Sequence, residues 1–100
     1  MNNPFLQALG ICKRAGKLCF GFETTKTAMQ KGQVEIVYIS CDLSEKTNKE
    51  IHFLASQFET QIVKTAYSMQ ELGSSIGKKT GIIAITDEGL AQMTKQKFAL

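Results

Sequence analysis

One hundred residues, 43% hydrophobic and 21% charged, suffice for one domain, residues 1–100, that buries its own core, which excludes a disordered or fibrous chain. Cys12, Cys19 and Cys41 form no C-x-x-C pair and have no histidine at ligand spacing, which excludes a disulfide framework or metal module; they read as small core residues in a reducing cytoplasm. The net charge of +3 is mild but segregated: residues 1–32 carry Lys13, Arg14, Lys17, Lys26 and Lys31 against Glu23, residues 33–77 carry three lysines against six acids, and four lysines oppose Asp87 and Glu88 in the tail.

Met1-Asn2-Asn3-Pro4 holds no cationic leader region, and Phe5 to Cys12 is too short, and too soon followed by Lys13-Arg14, for a signal or a membrane span. The expected location is the cytoplasm. Phe5, Leu6, Leu9 and Cys12 recur at helical spacing behind Pro4, which suits a first helical turn, and the helix should stop near Gly16. Leu18-Cys19-Phe20 between glycines reads as a brief strand. Thr24 to Lys31, with Ala28 and Met29 inward, reads as a second helix closed by Gly32. Val34 to Ile39 is β-branched and nearly continuous, the pattern of a strand covered on both faces, so helices must flank the sheet.

Asp42-Leu43-Ser44-Glu45 offers a cap, and Ile51, Leu54, Ala55 and Phe58 follow at i, i+3, i+4 and i+7 as the core stripe of a third helix. Gln61-Ile62-Val63 reads as a short strand. Ser68-Met69-Gln70-Glu71 is a capping box opening a short helix that ends at Gly77. Gly81 to Ile85 is the second buried strand, and Thr86 or Asp87 caps a last helix through Leu90 and Met93. Helix and strand alternate throughout, which predicts an α/β fold with a sheet between helical layers.

Catalysis needs converging titratable groups, and the single histidine, His52, lies on a helix flank beside Ile51. Gly73-Ser74-Ser75-Ile76-Gly77-Lys78-Lys79-Thr80 resembles a phosphate loop only superficially. Its glycine spacing is short, Lys79 stands where Ser or Thr is needed, and it joins helix to strand where that loop joins strand to helix. Asp87 and Glu88 suit a helix start, where acids complement the macrodipole. Phe20, Phe22 and Tyr67 are candidate platforms for bases, with core packing the better use of Phe20. Lys13-Arg14, followed by Gly16, Lys17 and Gly21 and a helix start, joins cations to backbone N–H groups as a phosphate-binding surface requires. If the ends of the chain meet, they build one positive face.

Leu9-Gly10 through Lys17, Gly21, the helix closed by Gly32, the Val34–Ile39 strand, Glu71-Leu72-Gly73 to Gly77, and Ile82–Ile85 with Thr86-Asp87-Glu88-Gly89 resemble the superfamily of kink-turn-binding ribosomal proteins, in particular its small bacterial YlxQ-type branch. The resemblance implies a three-layer α-β-α sandwich around a four-stranded mixed sheet. It also implies structured RNA, ribosomal RNA first, as partner, association with the ribosome or translation factors, and no catalysis, cofactor, metal, membrane or small-molecule substrate. Family members grip a sharply bent RNA beside tandem sheared G·A pairs, read by shape and exposed edges. Registered on Gly21 and Gly32, the positions where relatives place an Asn, a Glu and a Lys are Glu23, Thr24 and Thr27; none matches, and Lys26 adjoins the lysine position. The implied site comprises Lys13, Arg14, Gly16, Lys17, Gly21, Phe22, Glu23, Thr24, Lys26 and Thr27, with Ile76, Gly77, Lys78 and Lys79 of a second RNA-facing loop. The same sandwich can serve as a protein–protein adaptor, the rival reading. A weaker third is a recognition domain detached from an RNA-modifying enzyme.

Overall fold

The structure, a computed structural model, describes residues 3–99. Met1 and Asn2, part of the segment read above for a leader, and Leu100 lie outside the described residues. Helix α1 spans Pro4–Arg14; the Asn3 side chain accepts the Leu6 N–H, and proline occupies the first turn, where its missing donor costs nothing. Strand β1 (Leu18–Phe20) leads to α2 (Phe22–Gln30), β2 (Ile36–Ile39), α3 (Glu45–Gln57), β3 (Gln61–Lys64), α4 (Met69–Ile76), β4 (Ile82–Ile85) and α5 (Glu88–Phe98). The sheet order is β1-β4-β2-β3, with β4 antiparallel to both β1 and β2, and β2 parallel to β3.

The expected α-β-α sandwich with a four-stranded mixed sheet follows from the alternation of side chains along the two central strands. Ile36, Tyr38, Ile83 and Ile85 pack beneath α1, α4 and α5 with Phe5, Leu9, Cys12, Leu72, Ile76 and Ala91. Val37, Ile39, Ile82 and Ala84 face α2 and α3 with Met29, Ile51, Leu54 and Ala55. Every residue of β2 and β4 is buried, and each large one contributes about 1.5–3 kcal/mol of transfer free energy. Phe5 is the hub of the first layer, edge-on to Tyr38 at 4.8 Å and to Phe98 at 5.0 Å and stacked on Tyr67 at 5.7 Å. The Tyr38 hydroxyl lies 2.8 Å from Thr94 Oγ1, and since that hydroxyl already donates to the Ala91 carbonyl, tyrosine is the donor of the pair.

Some local expectations shift. The second helix begins two residues early, at Phe22, because Gly21 is its cap. The β2 ladder starts at Ile36 rather than Val34, although the Glu35 N–H still donates to Ile85. Ser44, not Asp42, caps α3; Asp42 instead accepts the N–H of Met69, 27 residues away. Phe58, expected in the core stripe, is 41% exposed, because α3 ends at Gln57 and the chain turns away through Glu59 at φ 53°. Cys12 is a core residue and Cys19 is half-buried, but Cys41 is exposed, since the chain leaves the sheet two residues past Ile39. The capping box of α4 forms in full between Ser68 and Glu71, and Asp87 caps α5.

Candidate nucleic-acid interface

The basic cluster sits where α1 ends. Gly16, at φ 73°, takes the left-handed position, its N–H donating to Lys13 O and that of Lys17 to Cys12 O, both at 3.0 Å. This double closure stops the helix sharply and is open to glycine at little cost. Lys13 and Arg14 occupy the last turn, where cations also offset the negative end of the helix dipole. Arg14 extends along the α1–α4 junction near Gly10, and Lys17 is anchored by its carbonyl, which accepts the Thr86 N–H at 2.9 Å.

At the other end of β1 the chain assembles a second group. The Gly21 N–H donates to Ile82 O at 3.0 Å, tying the start of α2 to the first residue of β4. Gly21, at φ 89°, caps α2 without any side-chain hydrogen bond, so the first-turn N–H groups of α2 are left to solvent or to a ligand. The Gly77–Thr80 loop enters β4 beside them. Its Lys78 ammonium lies 5.9 Å from the centroid of the half-buried Phe20 ring, a cation–π contact that holds the charge next to Gly21. Gly73 makes this placement fit: a Cβ there would stand 2.5 Å from Lys78 O and from Lys79 Cα, so the loop folds directly onto α4.

Lys79 diverges from Lys78. Partial desolvation raises the pKa of Asp42, but the Met69 N–H at 2.9 Å, further hydrogen bonds and the Lys79 charge outweigh it and hold the carboxyl below the ordinary carboxylate range. The Lys79 charge thus acts on Asp42 without an ion pair, while Lys78 lies over Phe20. Ile76 is buried in the core under the loop rather than lining its surface. Tyr67 is half-buried on Phe5, its hydroxyl accepting from Asn3 Nδ2 at 2.8 Å, so it serves packing and not stacking. Phe22 packs against the α2–α3 side of the core. His52 is exposed on α3, within hydrogen-bond distance of its own helix at Asn48 O.

Helix α2 divides the remaining candidates. Thr24 and Thr27 look toward β1 and share a depression with Gly16 and Lys31, whereas Glu23 and Lys26 look toward α3. The site residues therefore form two groups, Lys13, Gly16 and Lys17 at one end of β1 and Phe20, Gly21, Glu23 and Lys78 at the other. A three-residue strand separates them by about 10 Å. The ion pair formed among the described residues joins Lys49 to Glu45 on α3, which leaves the cations of both groups uncommitted to a carboxylate. Sequence reasoning missed Asp42, whose partners are distant in sequence, and Phe53, which lies off the apolar stripe of α3 and is 64% exposed.

A model of the Ribosomal protein L7Ae/L30e/S12e/Gadd45 family matches residues 5–95. The RNA-binding protein YlxQ of Enterococcus faecium is 32% identical over 91 residues, 91% of this chain and 87% of that protein. The large ribosomal subunit protein eL30 of Tetrahymena thermophila is 30% identical over 89 residues, 87% of this chain and 86% of its own. Among solved structures, a protein of unknown function from Bacillus halodurans superposes with a TM-score of 0.90 at 27% identity, covering 99% of this chain and 100% of that one. The Giardia lamblia 15.5kD RNA binding protein superposes with a TM-score of 0.74, covering 94% of this chain and 81% of its own; at 15% identity it shares the fold.

Proposed function

The chain belongs to the Ribosomal protein L7Ae/L30e/S12e/Gadd45 family, and from that premise we propose that it binds structured RNA without catalysing a reaction, taking a kink-turn-like bend with ribosomal RNA as its partner. The observation that carries this reading is the start of α2 at Gly21, which has no side-chain cap, with Lys78 held beside it over Phe20. Free N–H groups and a cation supply a seat for a phosphate or a base edge. Glu23, exposed in the first turn, accepts hydrogen bonds from base amino groups, and Thr24 and Thr27 offer hydroxyls on the face toward β1. Lys13, Arg14, Lys17, Lys26 and Lys79 then neutralise the flanking strands, and Gly16 and Gly21 admit close backbone approach.

The test is a titration of folded kink-turn RNA at several salt concentrations. With about four to six phosphate contacts, log K falls against log salt with a slope of roughly −3 to −5. An RNA whose G·A pairs are replaced by Watson–Crick pairs should bind more weakly. A flat salt dependence, or no binding at low salt, refutes the reading.

A further inference from the structure

Beside the basic end of α1 lies a groove between α1 and α4, on the Phe5 side of the sheet. Its volume is about 780 Å³, within the roughly 300–1,000 Å³ of sites that take a small organic ligand. Gly10 is the floor: a Cβ there would stand 3.2 Å from Ser75 O, so the two helix backbones touch at this point. Gln7, Ile11 and Arg14 follow at i, i+4 and i+7 along α1, a row about 10 Å long, and Glu71, Ser74 and Ser75 of α4 line the groove with them. Ile11 is 42% exposed here. One solvent-facing isoleucine beside the half-buried Leu6 is too little apolar surface for a docked helix, which needs a stripe over several turns.

The polar groups of the groove are sorted by kind. The Ser74 and Ser75 hydroxyls donate back to Glu71 O and Leu72 O, each at 2.6 Å, so toward the groove they accept. Glu71 Oε1 accepts the Ser68 N–H at 2.9 Å, leaving Oε2 as a further acceptor. Arg14 is the cation: its Nη1 would lie 3.5 Å from a Cβ on Gly10, over the floor, and the ion pair among the described residues, Lys49 with Glu45, leaves it without a carboxylate. A ligand that fits carries an anion for the guanidinium and, within about 10 Å of it, a flat group with hydrogen-bond donors. We propose that the groove holds an unpaired nucleotide of the bound RNA, its phosphate on Arg14 and a base with an exocyclic amino group, adenine first, between Ile11 and the two serines. The proposal rests on the RNA reading above and extends it. Arg14 lies between Lys13 and Lys17 in the chain, so a strand neutralised by those lysines enters the groove without leaving positive charge. Uracil sets two carbonyls against the acceptors and fits less well.

The experiment uses the full chain and a kink-turn RNA that is blunt, or extended by a short single strand of adenosines on one helix or on the other, with uridine extensions for comparison and anisotropy as the readout. One of the two adenosine extensions should tighten binding at least about fivefold and steepen the salt slope by about 0.7, the value for one more phosphate contact on a single strand. The uridine extension in the same place should give the smaller gain. Ile11→Glu, an exposed change to a good helix former, hands Arg14 a carboxylate one turn away. It should abolish the gain while affinity for blunt RNA stays within about twofold. Ser74→Ala with Ser75→Ala should erase the preference for adenosine and keep the steeper salt slope, an independent reading if the first variant fails to fold. Blunt RNA that binds as tightly as both extended forms, or a gain that survives Ile11→Glu, overturns the proposal and leaves the RNA reading standing. No RNA bound at low salt overturns both. Free adenosine monophosphate bound by the protein alone at micromolar concentration, and lost in Ile11→Glu, overturns the RNA source and assigns the groove to a free nucleotide.

Discussion

Gly73→Ala is the change in which the fold and the candidate site meet. In an open helix interior this replacement stabilises, because alanine has the higher propensity by up to about 1 kcal/mol. Here the new methyl would stand 2.5 Å from Lys78 O and Lys79 Cα and 2.8 Å from Lys78 C. Ordinary contact begins at 3.4 Å, so the Lys78–Lys79 backbone must retreat by about 0.9 Å. These are main-chain atoms and not the tip of a flexible side chain, which places the cost in the upper part of the roughly 1–3 kcal/mol known for overpacking. The net expectation is a loss of about 1–2 kcal/mol, a fall in Tm of about 5–15 °C for a chain of this size. The same retreat draws Lys78 off the Phe20 ring, so RNA affinity should fall with stability even at temperatures where the variant is fully folded. Thermal unfolding followed by circular dichroism and an RNA titration read the two effects. Gly89→Ala is the control, since its Cβ would meet only Asp87 Oδ2 at an ordinary 3.4 Å. Gly73→Ala melting as high as Gly89→Ala, with RNA affinity unchanged, would refute the packing argument.

Lys78→Ala should weaken RNA binding and flatten the salt slope by about 1, while Lys79→Ala has the smaller effect because Lys79 lacks the Phe20 contact that holds Lys78 beside Gly21; equal losses in a filter-binding assay would show that the two are interchangeable. Neither change should move Tm by more than a degree or two, since exposed lysines contribute little to folding. Glu23→Asn with Thr27→Lys removes one repulsion and adds one cation, so kink-turn affinity should rise at least about tenfold, a contact of this kind being worth on the order of 1–3 kcal/mol. No gain, or an equal gain on RNA lacking the G·A pairs, would place the ligand elsewhere. The depressed pKa of Asp42 means that its charge stabilises the fold above the ordinary carboxylate pKa of about 3.9 and that this is lost as pH falls through the lower folded value. Asp42→Asn should therefore melt below wild type at neutral pH, and the two curves should converge in acid; a gap that persists at low pH would trace the loss to shape instead of charge.

What the sequence disclosed depended on how local its causes were. Pro4, the Ser68–Glu71 box and the unbroken apolar runs of β2 and β4 act within a few residues, and the elements they announce are those observed. Strand order was not legible in those runs, because the pairing of Phe20 with Ile83 spans most of the chain. Asp42 looked like a cap for the helix that follows it, and only the tertiary turn that brings Met69 alongside explains its true partner. Phe58 fitted the stripe of α3 by count, yet the helix stops one residue short. Phe53 was missed, although its helical angle away from Ile51 and Leu54 marks an outward aromatic. Lys78 and Lys79 carry identical side chains on neighbouring positions, and nothing short of the loop's path over Gly73 distinguishes them.

The strand order has a consequence for how the chain comes alive during synthesis. Among the described residues, strand β4, completed only at Ile85, is the one element that joins β1 to the rest of the sheet. As the chain emerges from its N-terminus, the Lys13–Lys17 segment and α2 appear early but have no sheet to hold them, and the loop that carries Lys78 appears just before the strand that locks everything together. A nascent or prematurely ended chain thus displays its basic residues as separate, weak charges, and the composite surface comes into being in one late step. For the RNA binding proposed above, competence is in this way reserved for polypeptides that have been made through to their central strand.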